Sequence, residues 1–176
     1  MQIRVFAVDP GTTTGWAFAS NVDVATLPAS ECDVEFASGQ LMGEEYQQSL
    51  ELFRLIRVCW PCAIIIEDFI PRQLNKERHF LSPVRVTNQL TMLLYLTDRR
   101  WTLQQPSLAK STISDTYLRS IMQYDPARPH ANDAVRHILT FGRRVVRHHR
   151  LYDDLLTPLG LNSMTPTDMR DLGLDL

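Results

Sequence analysis

The sequence predicts an α/β fold in which a five-stranded mixed sheet is flanked by helices. Three strands are predicted near 3–9, 14–20 and 33–40 as an antiparallel meander, and the first two are apolar runs. Two further short strands, at 63–67 and 101–105, then alternate with stretches of helical spacing. Strands first, followed by alternating helices and strands, is the order expected of a mixed sheet with helices on its faces. The chain has 176 residues, which is enough for one domain with its own core.

The first two strands are predicted to form a hairpin with Asp9 at its edge. The run Val5–Val8 ends at Asp9, and the chain turns through Pro10–Gly11 before a second apolar run begins near Gly15. This turn carries little side-chain bulk, so it suits a carboxylate that meets a metal ion and a phosphate at close range. An Asx-type turn, in which Asp9 bonds only to the backbone, explains the same residues.

A helix is predicted over 44–59, and a second acidic strand end follows it. The run Ala63–Glu67 is short and β-branched, which favours a buried strand that ends on a carboxylate. Asp68 is the alternative to Glu67 as a site residue. Neighbouring residues of a strand point to opposite faces, so only one of the two can face a shared site.

The remainder of the chain is predicted to hold a basic loop, three helical segments, one strand and a tail. In order these are the loop at 71–80, a helix at 84–100, the strand at 101–105, a helical segment at 107–122 and a long helix at 131–149. We therefore divide the chain into a domain at 1–150 and a C-terminal tail at 151–176. The tail mixes apolar and acidic residues, and the sequence leaves its position open.

The last predicted helix is amphipathic and begins beside two more candidate ligands. Its polar stripe is predicted to hold Arg136, Thr140, Arg143 and Arg147. His130 and Asp133 are three residues apart, so on a first helical turn they face the same way. Together with Asp9 and Glu67 they make a hard, mostly oxygen ligand set. Such a set suits Mg²⁺ or Mn²⁺ better than a structural zinc ion.

These motifs resemble the RuvC Holliday-junction resolvases, which are dimeric nucleases of the ribonuclease-H-like fold. The hairpin Asp9–Gly15, the strand-end Glu67 and the pair His130-x-x-Asp133 occur in the family's order within residues 3 to 149. The segment Gln105–Lys110 is similar to the family's segment before the last helix. Each motif is short, but four in sequence order are far more specific than one. The resemblance is closest to the compact RuvC-like proteins encoded by phages of actinobacteria.

The resemblance implies a metal-dependent endonuclease that hydrolyses phosphodiester bonds in branched DNA. In the family the four matching positions hold two Mg²⁺ ions, so the implied metal ligands and catalytic residues are Asp9, Glu67, His130 and Asp133. Two such ions about 4 Å apart activate water and neutralise charge on the leaving oxygen, and Mn²⁺ is the alternative metal. Lys110 is a further candidate that would steady the scissile phosphate, although an exposed helix lysine explains it equally well.

The implied DNA substrates are four-way junctions, forks and flaps, cut by a homodimer. Two sites related by a two-fold axis would match the pseudo-symmetry of a four-way junction. The second predicted helix is the candidate interface because its leucines give nearly all-round hydrophobicity, although a buried core helix explains them as well. These leucines are Leu90, Leu93, Leu94 and Leu96.

Positive charge is concentrated in the middle of the chain, although the net charge is −2. Residues 1–53 carry eight acids and one base, whereas residues 54–150 carry sixteen bases and seven acids. A DNA backbone would interact with this distribution rather than with the net charge. A solvated helix face is the alternative explanation for any single base. The candidate DNA-binding residues are Arg72, Lys76, Arg78, Lys110, Arg136 and Arg143.

The cysteine pattern and the apolar runs predict a protein of the cytoplasm, in a bacterial cell or a phage-infected host. Cys59 and Cys62 form a C-x-x-C pair between a predicted helix and a strand, and we interpret them as free thiols rather than a redox or zinc motif. No apolar run reaches the ~20 residues needed to cross a bilayer, and no membrane is expected as a partner. The N-terminus lacks a signal-peptide pattern.

Two other classes of function fit parts of the sequence. The segment Asp9-x-Gly11–Thr12–Thr13 is similar to the phosphate loop of sugar kinases of the actin-like superfamily, which would predict an ATP-binding domain. Those enzymes need two such domains around a nucleotide cleft, and this chain has room for one. The second alternative is a non-catalytic module that binds branched DNA. It would bind junctions without metal-dependent cleavage.

Overall fold

The strands form one five-stranded mixed sheet, as the sequence predicts. The structure is a computed structural model that describes residues 1–23, 34–69 and 81–160. The sheet order is β3-β2-β1-β4-β5, with the first three strands antiparallel and with β4 and β5 parallel to β1. The strands are β1 (Gln2–Asp9), β2 (Thr14–Asp23), β3 (Phe36–Leu41), β4 (Ala63–Glu67) and β5 (Thr102–Gln104).

Six helices lie among the described residues, and the two clearest differences from the prediction are a divided segment and an earlier helix end. The helices are α1 (Glu45–Cys59), α2 (Ser82–Leu96), α3 (Pro106–Thr112), α4 (Asp115–Ser120), α5 (Pro129–Arg147) and α6 (Arg150–Leu156). The segment predicted as one helix over 107–122 is two short helices, because Ser114 begins α4 by accepting a hydrogen bond from the Tyr117 backbone N–H. The helix predicted to reach residue 100 ends at Leu96, just before Asp98 takes a positive φ of 58°.

Alternate residues of β1 and β4 face two separate hydrophobic cores. Val5, Ala7 and Ile65 belong to the core beneath α5, whereas Phe6 and Ile66 belong to the core beneath α1 and α2. This alternation follows from the two-residue period of a strand. Because both faces are covered, β1 and β4 are apolar along nearly their whole length.

Helix α2 contributes two of its leucines to the second core rather than to an open face. Leu90 and Leu94 are fully buried there, and Leu93 packs partly against it. Met92 and Tyr95 lie on the other side of the helix and are 64% and 51% exposed. Burial in the core therefore accounts for Leu90 and Leu94, whereas Leu93 and Leu96 are half-buried and line a groove together with Met92.

The polar stripe predicted for α5 is wrong in its first half. Arg136 and Thr140 are buried, because α5 packs against the sheet on one side and against α3 on another. Arg143 is half-buried and donates from Nη1 to the Thr112 carbonyl oxygen, at 3.2 Å. Arg147, near the end of the helix, is exposed as predicted.

Part of the predicted tail packs on the domain. Helix α6 inserts Tyr152 and Leu155 into the core beneath α5, and the Tyr152 hydroxyl accepts a hydrogen bond from the Arg4 backbone N–H at 3.1 Å. The predicted basic loop at 71–80 and the final residues 161–176 lie outside the described residues. Among the helices that are described, none combines the length and the apolar character needed to span a bilayer.

Candidate metal and DNA-binding site

Asp9 and Glu67 lie side by side at the carboxyl ends of two parallel strands. The last paired residues of β1 and β4 are Val8 and Ile66, and the two acids come directly after them. Ala7 lies in the core beneath α5, so two-residue alternation places Asp9 on the α5 face of the sheet.

The same alternation separates Glu67 from Asp68. Ile65 lies in the core beneath α5, which places Glu67 on that face and Asp68 on the opposite one. The Glu67 carboxylate accordingly contacts a residue of α5, with its Oε2 atom 2.8 Å from His137 Nε2. Of the two neighbouring acids, Glu67 is therefore the one that shares a face with Asp9.

The N-terminus of α5 reaches Asp9 because β2 has a glycine where the two elements meet. A Cβ atom on Gly15 would lie 2.0 Å from the His130 carbonyl oxygen, so only glycine allows this approach. Gln40 of β3 accepts a hydrogen bond from the His130 backbone N–H at 3.0 Å. His130 Nδ1 then lies 2.7 Å from Asp9 Oδ2. The contact joins the first strand to the last long helix.

Asp9 lies in an environment that disfavours its negative charge. Burial raises the pKa of Asp9 from its usual 3.8 to about 6, and the charges of Glu67 and Asp133 act in the same direction. The hydrogen bond from His130 opposes these effects, and that same bond is the main cause of a raised pKa at His130. The charges of Glu67 and Asp133 therefore act on Asp9, and the hydrogen bond from His130 offsets only part of the combined effect of burial and these charges.

Asp133 is held by two cations. Arg136, one turn further along α5, donates from Nη1 to Asp133 and from Nη2 to Asp115, and its Nε donates to the Ile113 carbonyl oxygen at 3.1 Å. Lys110 of α3 places its Nζ atom 3.3 Å from Asp133 Oδ2 and is 59% exposed. The two cations differ in their exposure to solvent, since the Arg136 side chain is only 6% exposed.

A cleft of about 450 Å³ opens beside Asp133. It is lined by Lys110, Ile113, Ser114, Asp115, Tyr124, Pro129, Asn132, Asp133 and Arg136. The cleft combines an exposed ammonium group, hydroxyl groups and an aromatic ring. These are groups that contact phosphates and nucleobases in proteins that bind nucleic acids.

The candidate ligands fit a hard divalent cation in chemistry, although their side chains are turned to other partners. Within residues 1–23, 34–69 and 81–160, no group of three or more His, Cys, Asp or Glu side chains is arranged to hold a metal ion. Asp9 and Glu67 are each paired with a histidine, and Asp133 is paired with two cations. Three carboxylates and an imidazole are nevertheless ligands that Mg²⁺ or Mn²⁺ accepts. The raised pKa of Asp9 marks negative charge that a cation would relieve.

The six candidate DNA-binding residues have different placements. Arg72, Lys76 and Arg78 lie outside the described residues. Lys110 is exposed beside Asp133, whereas the guanidinium group of Arg136 is buried and engaged by three protein groups. This burial does not favour contact between Arg136 and DNA. Arg143 is half-buried against α3.

Sequence reasoning missed His137 and Gln104, which support Glu67. His137 lies four residues after Asp133, and this spacing places both on one side of α5. That spacing was a usable signal. The contact with Gln104, at 2.8 Å, joins α5 to β5 across a separation of 33 residues, and the local pattern does not reveal it.

The cysteine pair has the environment of structural thiols. Cys59 and Cys62 are both free, at the end of α1 and just before β4. Burial raises the pKa of Cys62 to about 12, and burial also raises the pKa of Cys59. A redox motif needs a lowered thiol pKa, so the interpretation as ordinary thiols is favoured.

The sheet order and the helices on both faces define the fold of the molecule, which is ribonuclease-H-like. Within that class, two solved structures of Thermus thermophilus RuvC are similar to this chain. RuvC in complex with a Holliday junction substrate has a TM-score of 0.59 and 16% identity, over 83% of this chain and 96% of that chain. A further RuvC structure has a TM-score of 0.58 and 15% identity, over 84% and 97%. Neither a protein-family model nor a curated protein sequence gives a significant match.

Proposed function

We propose that this chain is a divalent-metal-dependent endonuclease that resolves Holliday junctions and related branched DNA. The observation that carries the proposal is the position of Asp9 and Glu67, which end adjacent parallel strands beneath the N-terminus of α5 in a fold similar to RuvC. The proposed nuclease unit is residues 1–150, acting in the cytoplasm of a bacterial or phage-infected cell. Special closeness to phage proteins stays a prediction from the motifs alone.

Four residues of the chain would hold the metal. Asp9, Glu67 and Asp133 offer carboxylate oxygens, and two Mg²⁺ or Mn²⁺ ions would activate water and neutralise charge on the leaving oxygen. His130 turns Nδ1 toward Asp9, so the neutral ring keeps Nε2 as its unprotonated nitrogen for a metal. Metal binding requires Asp133 to turn from Arg136 and Lys110, and the exposed Lys110 then becomes available as a charge beside the site.

Lys110 is proposed to contact the scissile phosphate. Its ammonium group is the more exposed of the two cations on Asp133, and it borders the cleft beside that residue. A phosphate oxygen competes well for a lysine ammonium group that is now bound to a partly exposed carboxylate. This exchange would neutralise one phosphate charge and remove one of the two cations from Asp133.

Cleavage of a four-way junction further implies a homodimer. A second copy would place two sites about one axis and allow paired nicks. We propose that the copies meet at the α1–α2 groove, a depression of about 360 Å³ lined by Tyr46, Ser49, Leu50, Gln89, Met92, Leu93 and Leu96. Apolar groups dominate this lining, and Met92 and Tyr46 are 64% and 54% exposed. Exposed apolar surface of this kind is typical of a contact between proteins.

The proposal is tested by incubating the purified protein with labelled four-way junction, flap and linear duplex, with and without Mg²⁺. We expect Mg²⁺-dependent nicks in the branched substrates. Asp133→Asn should lower the rate at least about 100-fold, since losing a direct ligand should exceed the ~10- to 100-fold cost of losing a supporting partner. Asp154→Asn, an exposed acid of α6, is the matched control and should cut at the wild-type rate. Cleavage by Asp133→Asn at that rate would contradict the proposal.

One observation favours a second candidate, the non-catalytic module that binds branched DNA. Asp133 is already neutralised by Arg136 and Lys110, and in such a module these ion pairs would be permanent. The same assay separates the two functions. Retention of the junction in a gel shift, with no Mg²⁺- or Mn²⁺-dependent cleavage, would establish the module and exclude the nuclease.

A further inference from the structure

A fully buried histidine of α5, His137, contacts the ends of β4 and β5 through both of its ring nitrogens. His137 is 0% exposed; its Nε2 lies 2.8 Å from Glu67 Oε2, and its Nδ1 lies 2.8 Å from Gln104 Nε2. Gln104 is itself buried, and it pairs directly with Glu67 in the register of β4 and β5. Burying an imidazole lowers the stability of a protein unless both ring nitrogens are hydrogen-bonded. The burial of His137 therefore depends on Glu67 and Gln104.

The contacts of Gln104 assign the proton on His137. Gln104 Nε2 lies 3.4 Å from the His137 carbonyl oxygen as well as 2.8 Å from Nδ1. A carbonyl oxygen only accepts hydrogen bonds, so the amide atom that faces it is the NH₂ group. His137 Nδ1 must therefore accept, and the ring proton is on Nε2. The Nε2–H group then donates to the Glu67 carboxylate.

We propose that His137 and Gln104 are positioning residues that fix the Glu67 carboxylate for metal binding. The inference rests on the proposed function, in which Glu67 is a metal ligand. The N–H of His137 occupies one oxygen of Glu67 and sets the plane of the carboxylate, and Gln104 prevents the ring from adopting the opposite tautomer. Residues that hydrogen-bond a metal ligand without touching the metal hold that ligand in its binding orientation. The ligand then needs less rearrangement when the metal binds.

The alternative is that His137 only joins α5 to the sheet, and three variants separate the two roles. His137→Leu keeps an apolar group of similar size and removes the donor. His137→Gln keeps an N–H near the position of Nε2. Gln104→Met removes the amide with little change in length. Thermal unfolding in chelator checks that each variant is folded before its metal binding is compared.

The first readout is Mn²⁺ binding by calorimetry, without DNA. We expect His137→Leu to weaken binding by about 10- to 100-fold, the usual effect of losing an outer partner of a ligand. His137→Gln should recover most of that loss, and Gln104→Met should lie between. A purely structural role would lower unfolding temperature in the three variants and leave the Mn²⁺ affinity of the folded protein unchanged.

The second readout is made on the wild type, and the His137→Gln variant serves only to assign the signal. Long-range ¹H–¹⁵N spectra of the metal-free wild type should show one buried histidine with Nε2 protonated and Nδ1 bare, and its signal should vanish in His137→Gln. A protonated Nδ1 at this residue would overturn the inference. Equal Mn²⁺ affinity in wild type and folded His137→Leu would also overturn it, and the proposed function would stand. A wild type that binds no Mn²⁺ and cleaves no junction would overturn the proposed function and the inference together.

Discussion

At the scale of single residues, Asp9 is the acid of the site whose negative charge is only partly compensated without a cation. Burial and two neighbouring carboxylates raise its pKa to about 6. An acid whose pKa is raised in the folded state stabilises the protein when it is protonated. This contribution to the free energy of unfolding is lost as the pH rises through the folded-state pKa. Metal-free protein should therefore lose stability between about pH 4 and pH 7 because of this residue.

We expect Asp9→Asn to lower activity and raise stability. The substitution removes a buried charge, so at pH 7.5 in chelator it should stabilise the protein by up to about 3 kcal/mol, or several degrees in Tm. Junction cleavage should fall at least about 100-fold, because the ligand is lost. Calorimetric unfolding and the cleavage assay measure the two effects, with Asp154→Asn as control. A lower Tm in chelator would show that the contact with His130 outweighs the burial of charge.

Residue patterns in the sequence predict some site residues and miss others for a physical reason. Asp9 and Glu67 follow apolar runs, and the end of a buried strand is readable from its composition. Arg136 resembles any arginine on the polar side of a helix, and only the packing of α3 and α4 shows that it is buried. Its partners Asp115 and Ile113 are more than 20 residues away, beyond any helical period.

At the scale of elements, the approach of α5 to β2 determines whether the acids and His130 meet. Gly15 makes that approach possible, because a Cβ there would lie 2.0 Å from the His130 carbonyl oxygen and 2.7 Å from the Ala131 nitrogen. Both atoms are backbone atoms at the start of a helix. They cannot move without shifting α5 as a whole.

Gly15→Ala should therefore lower both the free energy of unfolding and the activity. Forcing a methyl group into a packed contact costs about 1–3 kcal/mol, and the displaced helix would separate His130 from Asp9. Urea unfolding measures the first effect and junction cleavage the second. Gly39→Ala is the comparison, because its Cβ would meet the side chain of Trp16 rather than backbone. Equal losses of stability and activity in the two variants would contradict the view that the close packing of α5 on Gly15 positions the site.

Most helices and strands could be predicted because the spacing of their apolar residues is visible within a few neighbouring residues. The observed elements differ from the predicted ones where this local pattern is weak. The predicted sheet is confirmed, and its sequence signal is clearest in β1 and β4, where a short apolar run ends on an acid. The break between α3 and α4 depends on one serine that begins α4, inside a stretch that otherwise reads as helical. The buried side of α5 could not be predicted, since it depends on which helices pack against it.

At the scale of the whole molecule, the proposed dimer makes the α1–α2 groove a determinant of assembly. Met92→Glu would place a charge in an apolar contact, which is costly unless the charge is paired. We expect the variant to be monomeric in light scattering after gel filtration and to nick junctions one strand at a time. Val58→Glu is the control, because Val58 is an 83% exposed apolar residue of α1 that does not line the groove.

Two outcomes would contradict this prediction. A dimer of unchanged mass in Met92→Glu would place the interface elsewhere, and a wild type that is monomeric at micromolar concentration would remove the dimer from the proposal. Loss of the dimer in both variants would point to a general effect of added negative charge. The folded state of Met92→Glu should be unaffected, since the side chain is 64% exposed.

The two cores that share β4 make the length of this strand a strict requirement. Deleting one residue from Ile64–Ile66 would move every following side chain of the strand to the opposite face, and the carboxylate of Asp68 would replace that of Glu67 beneath α5. An aspartate is one methylene shorter, so its oxygens would fall short of His137. Homologous chains should therefore tolerate exchange among branched aliphatic residues in this strand far more readily than any insertion or deletion.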